Sequence, residues 1–499
     1  MGRVIYLVGI VIEGHTYKHD IFELVRVFFP DSDMEIVFLE NKDITDANGY
    51  IVESILNYNG MKYIGIARLY RGGELIGEHC ESIEDIHIGN LDMGQRIKTG
   101  IKKSIYNLLV RIFEIDVPWG ILTGIRPVKI VHNLIDLDME EYEILRILIT
   151  QYRIHRTKAK LILDIAKLQR KYIYPLSKDR YSIYIGIPFC PTRCVYCSFP
   201  AYRIGKNYDM VKAYVDTLLY EIDKMGKIMK GKLLNTIYIG GGTPTAINIF
   251  DLERIIDGIF KSFPMGEVRE FTVEAGRPDT INIEVLSMLR EHGVNRISIN
   301  PQTMNDSTLK LIGRNHDKYS TISAYSLAKD VGFDIINMDI ILGLPGESID
   351  ELENTLHAIE EMNPENLTVH TLSLKRGSRL LMEQGNRILN KRVDVQHMIE
   401  RTQMFAEDNG YLPYYLYRQK QILGNLENVG YSKLNKECIF NIAMMEEKET
   451  VIGMGLGAVS KIYYPQENRI KRIPNFKDLV QYNMRIDELI DKKKGSIPK

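Results

Sequence analysis

Residues 188–199 read PFCPTRCVYCSF, placing Cys190, Cys194 and Cys197, three of the chain's five cysteines, within eight residues. Three thiolates spaced C-x3-C-x2-C in one loop can converge on a metal centre. Zinc would take a fourth ligand nearby, but no Cys, His or Asp occurs between Cys197 and Asp209. Soft thiolates equally suit an iron–sulfur cluster, and three ligands on a four-iron cube would leave one iron open to a small molecule. A structural zinc knuckle is the competing reading. Cys80 and Cys438 stand alone in the sequence and are expected to be ordinary packed or partly exposed thiols.

Other groups able to do chemistry recur downstream at intervals. GGGTPT supplies Gly240, Gly241 and Gly242, which let backbone approach a ligand, and Thr243, which adds a hydroxyl. Glu274, Gln302, Arg314, His316 and Asp339 follow. Each alone could be a satisfied structural group, and the glycines a tight turn.

The positions of these residues relative to predicted strands bring them together. From Tyr181 onward, short apolar runs alternate with helical patterns, as in repeated parallel β/α units. Six such runs are YSIYIGI (181–187), TIYIG (236–240), FTVEA (271–275), RISIN (296–300), IINMDIIL (335–342) and LTVHTL (367–372). This pattern predicts an α/β fold built on a partial (β/α)6 barrel, with a doubly wound sheet as the alternative. The cysteine loop, the glycines and the polar residues fall at or just after strand C-termini, where barrel enzymes keep their active sites.

An N-terminal α/β domain (1–120), a helical connector (121–178), the barrel (179–375) and a C-terminal α+β domain (376–499) are the expected divisions. Lys plus Arg (64) nearly balance Asp plus Glu (65), so no global field gathers nucleic acid or an anionic membrane. The connector holds nine Lys or Arg between Arg153 and Arg180 against Asp164 and Asp179, read as a solvated helix face. The opening run VIYLVGIVI is nine residues, short of the roughly 18 needed to span a bilayer. It reads as a buried first strand, and the chain as cytoplasmic.

The cysteine spacing resembles that of the radical S-adenosylmethionine superfamily. YIGIPFCPTRCVYCSF, GGGTPT, NPQTMND with LIGRNH, DIILGLPGE and GMGLGAVS resemble, in order, the motifs of oxygen-independent coproporphyrinogen III oxidase-like proteins. PWGILTGIRPVK (118–129) and YYLYRQKQILGNLENVGY (414–431) are similar to the coproporphyrinogen dehydrogenase (HemZ) branch, which carries an extra N-terminal domain.

This resemblance implies a [4Fe-4S] cluster on Cys190, Cys194 and Cys197, whose open iron chelates the methionine moiety of S-adenosylmethionine. Tyr184 and Tyr196 would flank the nucleoside, and Gly241, Gly242 and Thr243 would hold the methionine end. Glu274, Gln302, Arg314 and Asp339 would bind the remainder, and Ala458 would lie at the far rim. The implied activity is radical oxidative decarboxylation of two coproporphyrinogen III propionates to vinyl groups, a step of haem and porphyrin biosynthesis. Partners would be the tetrapyrrole and a flavodoxin- or ferredoxin-type reductant, with a monomer, no membrane and no nucleic acid expected. No catalytic side chain is assigned. Arg418 and Lys420, beside Tyr414, Tyr415 and Tyr417, are candidates for holding substrate carboxylates; packed tyrosines with solvent-facing cations are the alternative. The chain departs from the family pattern at Gly186, where a His is usual, and at Phe199, where a further Cys is usual. A haem-binding chaperone on the same scaffold would carry a His-Asn-x-x-Tyr-Trp signature, whereas here the region reads GNLENVGYS and the only Trp is Trp119. A radical enzyme acting on RNA would rest on the basic connector alone.

Overall fold

The computed structural model describes residues 6–29, 34–40, 49–205, 208–373, 378, 380, 392–419, 422 and 425–498. The chain divides into two compact units, one of residues 1–167, 384–393 and 417–427, the other of the remainder. In the first, β1 (Tyr6–Glu13), β2 (Met34–Phe38), β3 (Tyr50–Tyr58), β4 (Tyr63–Arg71) and β5 (Glu74–Ser82) form one sheet in the order β2-β1-β3-β4-β5. From Tyr6 onward the opening apolar run forms β1, with Val8 and Ile10 fully buried. Gly72 and Gly73, both at positive φ, close the β4–β5 hairpin, a conformation that glycine adopts without steric cost. The helix Met93–Phe113 packs on this sheet and starts at a capping box between Asp92 and Gln95.

The second unit holds the barrel. The six apolar runs become β6 (Arg180–Ile187), β9 (Leu233–Gly241), β10 (Glu270–Glu274), β11 (Arg296–Ser298), β12 (Ile335–Leu342) and β13 (Asn366–Thr371), each parallel to its neighbour. The short strands β7 (Phe189–Cys190) and β8 (Tyr202–Arg203) pair only with each other. The C-terminal region adds β14 (Leu412–Tyr417) and β15 (Asn428–Ser432) at the β13 edge. It adds β16 (Thr450–Gly455), β17 (Val459–Tyr464) and β18 (Arg469–Pro474) at the β6 edge. β16 runs parallel to β6, so a seventh parallel strand extends the six read from sequence. Among the described residues no helix is long and apolar enough to cross a membrane.

The N-terminal ends of β10 and β11 are covered by the segment leading into the helix Ile439–Glu446. Glu270, at the start of β10, accepts hydrogen bonds from the backbone N–H of Ile439 (2.8 Å) and Phe440 (3.1 Å) and from the Cys438 thiol (3.2 Å). A carboxylate there satisfies N–H groups that a helix start leaves open and complements its dipole. Arg296, from β11, donates to the carbonyls of Lys436 (2.8 Å) and Glu437 (2.9 Å). Cys438 is thus a buried structural thiol, while Cys80 is exposed.

A buried ion pair ties the C-terminal end to the barrel. Glu221, on the helix Asp209–Ile228, and Lys493, on the helix Ile486–Lys494, are both fully buried and meet at 2.5 Å. Lys493 also donates to the Gly453 carbonyl at 2.6 Å. Glu221 accepts further from Gly455 N–H (2.8 Å), Tyr482 O–H (2.6 Å) and Asn475 (3.1 Å). Removing the cation would strand a buried carboxylate. Lys493→Met should therefore lower the unfolding free energy by about 3–5 kcal/mol in urea titrations, while Lys227→Met, breaking the exposed pair with Asp223, should change it little. Equal stability of the Lys493 variant and the parent protein would contradict this role.

Candidate active site

The β6–β9 register aligns Gly186 with Gly240 and Ile187 with Gly241, so the loops leaving these strands lie against each other. Gly242 N–H donates to the Ile187 carbonyl and Thr243 N–H to the Phe189 carbonyl, both at 2.8 Å. The Thr243 hydroxyl lies 3.5 Å from the Cys190 sulfur. A Cβ on Gly242 would come within 2.6 Å of the Phe189 carbonyl oxygen and 3.0 Å of the Cys190 sulfur. One on Gly240 would come within 2.7 Å of the Glu274 carboxyl group. These glycines are needed for close approach.

The cysteine loop is closed by pairing of Phe189 with Tyr202 and of Cys190 with Arg203. Cys197 N–H bonds the Cys194 carbonyl (3.2 Å), and Val195 N–H bonds the Ile312 carbonyl (3.1 Å). All three thiols are partly exposed and unbridged. Burial pushes the Cys190 thiol up, the Thr243 hydroxyl pulls it down, and Cys197 and Cys194 push it up again, so the three sulfurs feel one another. Three unbridged thiols on one loop beside a backbone cradle fit a cube that takes one thiolate on each of three irons.

Around them stand the strand-end residues. Tyr184 stacks with Tyr238 and Phe440 at 6.1 Å each, and Tyr238 with Phe440 at 4.5 Å. Glu274 accepts from Tyr238 O–H (2.5 Å) and Gly241 N–H (3.1 Å). Burial raises its pKa to about 7, these two bonds oppose the rise, and the charge of Asp339 adds to it. Asp339 is held below the usual carboxylate range: burial pushes it up, but His370, Asn337 and Thr368 outweigh that. Asn337 donates to it at 2.7 Å, and His370 Nε2 lies 3.7 Å away. Gln302 sits at φ +69°, pinned by Gln302 N–H to the Asp339 carbonyl and Ile341 N–H to its own carbonyl, both 2.9 Å. Arg314 is buried and donates to the carbonyls of Asn300 (2.9 Å) and Gly276 (3.1 Å) and to the Tyr196 hydroxyl (3.3 Å). Its Nε and the neighbouring Asn300 Oδ1 are buried without a protein partner, as in a pocket built for a polar ligand. Ala458 is buried in the turn between β16 and β17. His316 is buried, and burial lowers its pKa to about 4, with Arg314 adding to the effect.

Arg418 requires a correction. It is 3% exposed, lies 5.1 Å over the Trp119 ring, and donates to the carbonyls of Leu122 and of Asn425, the latter at 2.7 Å. A guanidinium enclosed by carbonyls and an indole holds backbone together rather than meeting substrate carboxylates at a rim. Tyr414 and Tyr415 are likewise buried. Lys420 lies outside the described residues. Tyr238, Asn337 and His370 were missed, although Tyr238 lies two residues before Gly240 and so shares its strand face.

The radical SAM superfamily model matches residues 184–359. The oxygen-independent coproporphyrinogen-III oxidase-like protein HemZ of Bacillus subtilis is 44% identical over 80% of this chain and 81% of its own length. The chain belongs to the oxygen-independent coproporphyrinogen III oxidase-like family, in its HemZ branch. Its cofactors are a [4Fe-4S] cluster and S-adenosylmethionine. The heme chaperone HemW of the same organism is 30% identical over 60% of this chain and 76% of its own length. The solved structure of coproporphyrinogen III oxidase (HemN) from Escherichia coli shares the fold of this family member, with a TM-score of 0.50, 23% identity and coverage of 65% of this chain and 72% of that one.

Two outcomes follow for the site. Cys190→Ala, Cys194→Ala and Cys197→Ala should each lose the oxygen-labile cluster by iron and sulfide analysis, while Cys80→Ala should keep it; a full cluster in Cys194→Ala would refute the ligand set. Glu274 binds a proton in the folded chain between its ordinary pKa near 4.5 and about 7, where the unfolded chain does not. Folding stability should therefore fall as pH rises through that window, and Glu274→Gln should gain on the parent by about 2 kcal/mol between pH 5 and 8. A constant difference between the two proteins across that range would contradict the raised pKa.

Proposed function

We propose that the chain converts two propionates of coproporphyrinogen III to vinyl groups without oxygen, giving protoporphyrinogen IX. The observation that carries this reading is the 44% identity to HemZ across four-fifths of both chains. When bound, the reduced cluster and S-adenosylmethionine would supply a 5′-deoxyadenosyl radical able to take a hydrogen atom from a propionate β-carbon; loss of carbon dioxide from the substrate radical would leave the vinyl group and pass one electron to an external one-electron acceptor.

The chain's residues would hold and orient. Cys190, Cys194 and Cys197 would ligate three irons; Gly241, Gly242 and Thr243 would offer backbone and hydroxyl to the methionine end. The Tyr184 and Tyr196 rings would bound the nucleoside. Asp339, kept ionised by its neighbours, suits ribose hydroxyls, and Glu274 with Gln302 would complete that contact. Arg314 already spends donors on two carbonyls and Tyr196, so its role would be to fix that tyrosine as much as to bind ligand. Ala458 would border the far side. A flavodoxin- or ferredoxin-type protein would deliver the electron.

The similarity to HemW favours a second reading, a haem-binding chaperone that does not turn tetrapyrrole over. Anaerobic incubation of the reconstituted protein with coproporphyrinogen III, following 5′-deoxyadenosine and tetrapyrrole together, separates the two. One 5′-deoxyadenosine per vinyl group formed, hence two per protoporphyrinogen IX, is expected; haem binding with unchanged coproporphyrinogen would favour the chaperone. Asp339→Asn should retain full iron while losing roughly ten- to a hundredfold in S-adenosylmethionine affinity, since a charge-assisted bond is worth about 1.5–3 kcal/mol. An unchanged binding isotherm would place the nucleoside elsewhere.

A further inference from the structure

Residues 274–279 read EAGRPD, and Arg277 within them is 3% exposed. One edge of its guanidinium grips the cysteine loop: Nη1 donates to the carbonyl (3.2 Å) and the hydroxyl (2.7 Å) of Thr192, midway between Cys190 and Cys194. The other edge is clamped by Asp279, with Nε to Oδ1 at 2.9 Å and Nη2 to Oδ2 at 2.8 Å. Four of the five N–H donors are thereby used. Lysine could not replace this, because its point charge cannot span two partners with fixed geometry.

The support beneath the pair is rigid. Arg277 precedes the short turn Pro278–Thr280, and the Thr280 hydroxyl bonds both the Arg277 carbonyl (2.9 Å) and the Thr245 hydroxyl (2.7 Å) at the end of the GGGTPT loop. His316 lies 3.9 Å from Asp279, but its depressed pKa keeps it neutral and adds no charge. The positive end of the pair therefore faces the cysteine loop, with the carboxylate behind it. A buried charge escapes salt screening, and cluster potentials respond to local charge.

We propose that the Arg277–Asp279 pair positions the Cys190–Cys194 segment and sets a permanent positive charge beside the cluster, favouring its one-electron reduction. This rests on Cys190, Cys194 and Cys197 being the cluster ligands. The cation stabilises whichever cluster state carries more negative charge, which is the reduced one.

The test uses the reconstituted full chain and two readouts: iron and sulfide content, and the cluster midpoint potential from an electron paramagnetic resonance-monitored redox titration. Arg277→Gln keeps an amide donor for Thr192 but removes the cation and leaves Asp279 uncompensated. Its reduced fraction at a fixed potential should fall about tenfold relative to the oxidised form, a negative shift of about 59 mV for one electron. Asp279→Asn leaves Arg277 uncompensated and should shift the potential in the positive direction. Arg277→Lys should recover most of the potential while assembling less cluster. Shifts of opposite sign in the Gln and Asn variants are an electrostatic signature that loosening of the loop would not produce. Shifts of the same sign, or unchanged potentials with a full cluster, would overturn the proposal. If Arg277→Gln fails to assemble, Asp279→Asn decides: a positive shift supports the proposal, and an unchanged or negative potential with a full cluster overturns it. Failure of the parent protein itself to take up a cluster would instead overturn the ligand assignment.

Discussion

The parallel register of β6 with β9 governs the geometry of the site. Because Ile187 and Gly241 lie side by side, the cysteine loop and the glycine loop leave the sheet together and bond to each other through backbone. A slip of one residue would put Tyr184 and Tyr238, which are paired in register and stack at 6.1 Å, on opposite faces of the sheet. The same strand pairs on its other side with β16, aligning Gly186 with Gly455. There a Cβ on Gly455 would come within 2.4 Å of the Gly186 carbonyl oxygen. Glycine at position 186 has a physical reason as well, since a Cβ would lie 3.3 Å from the Leu456 carbonyl oxygen and 3.4 Å from the Tyr184 ring. A histidine there would need its neighbours to give way.

On this frame, environment separates two carboxylates a strand or two apart. Glu274 has a phenol and one backbone N–H as donors and is drawn toward neutrality, whereas Asp339 gathers His370, Asn337 and Thr368 and stays charged. Tyr238 links them to the aromatic stack with Tyr184 and Phe440, and Phe440 belongs to the segment whose start Glu270 fixes. The closure at the strand N-termini and the site at their C-termini are therefore mechanically joined through one ring.

Much of this was readable from residues alone where period and spacing carry it. The six apolar runs, the cysteine spacing and the glycines each have local signatures. The seventh parallel strand did not, because TVIGMG lies far along the chain from β6 and contains glycines that read as loop. Its place is fixed by tertiary pairing and by the Glu221–Lys493 ion pair, between residues 272 apart in sequence. Arg418 failed for the opposite reason: a cation among tyrosines looks the same in sequence whether it faces a ligand or caps buried carbonyls. Arg277 and His370 were invisible because their importance lies in partners on other elements.

Electron–nuclear double resonance on the reduced cluster, with S-adenosylmethionine labelled with 15N at its amino group, tests most directly whether the glycine loop and cysteine loop build one centre. A strong hyperfine coupling from nitrogen bonded to iron is expected in the parent protein, and its loss in Gly242→Ala, whose added methyl crowds the Cys190 sulfur. A fully assembled cluster that shows no nitrogen coupling while S-adenosylmethionine is bound would contradict it.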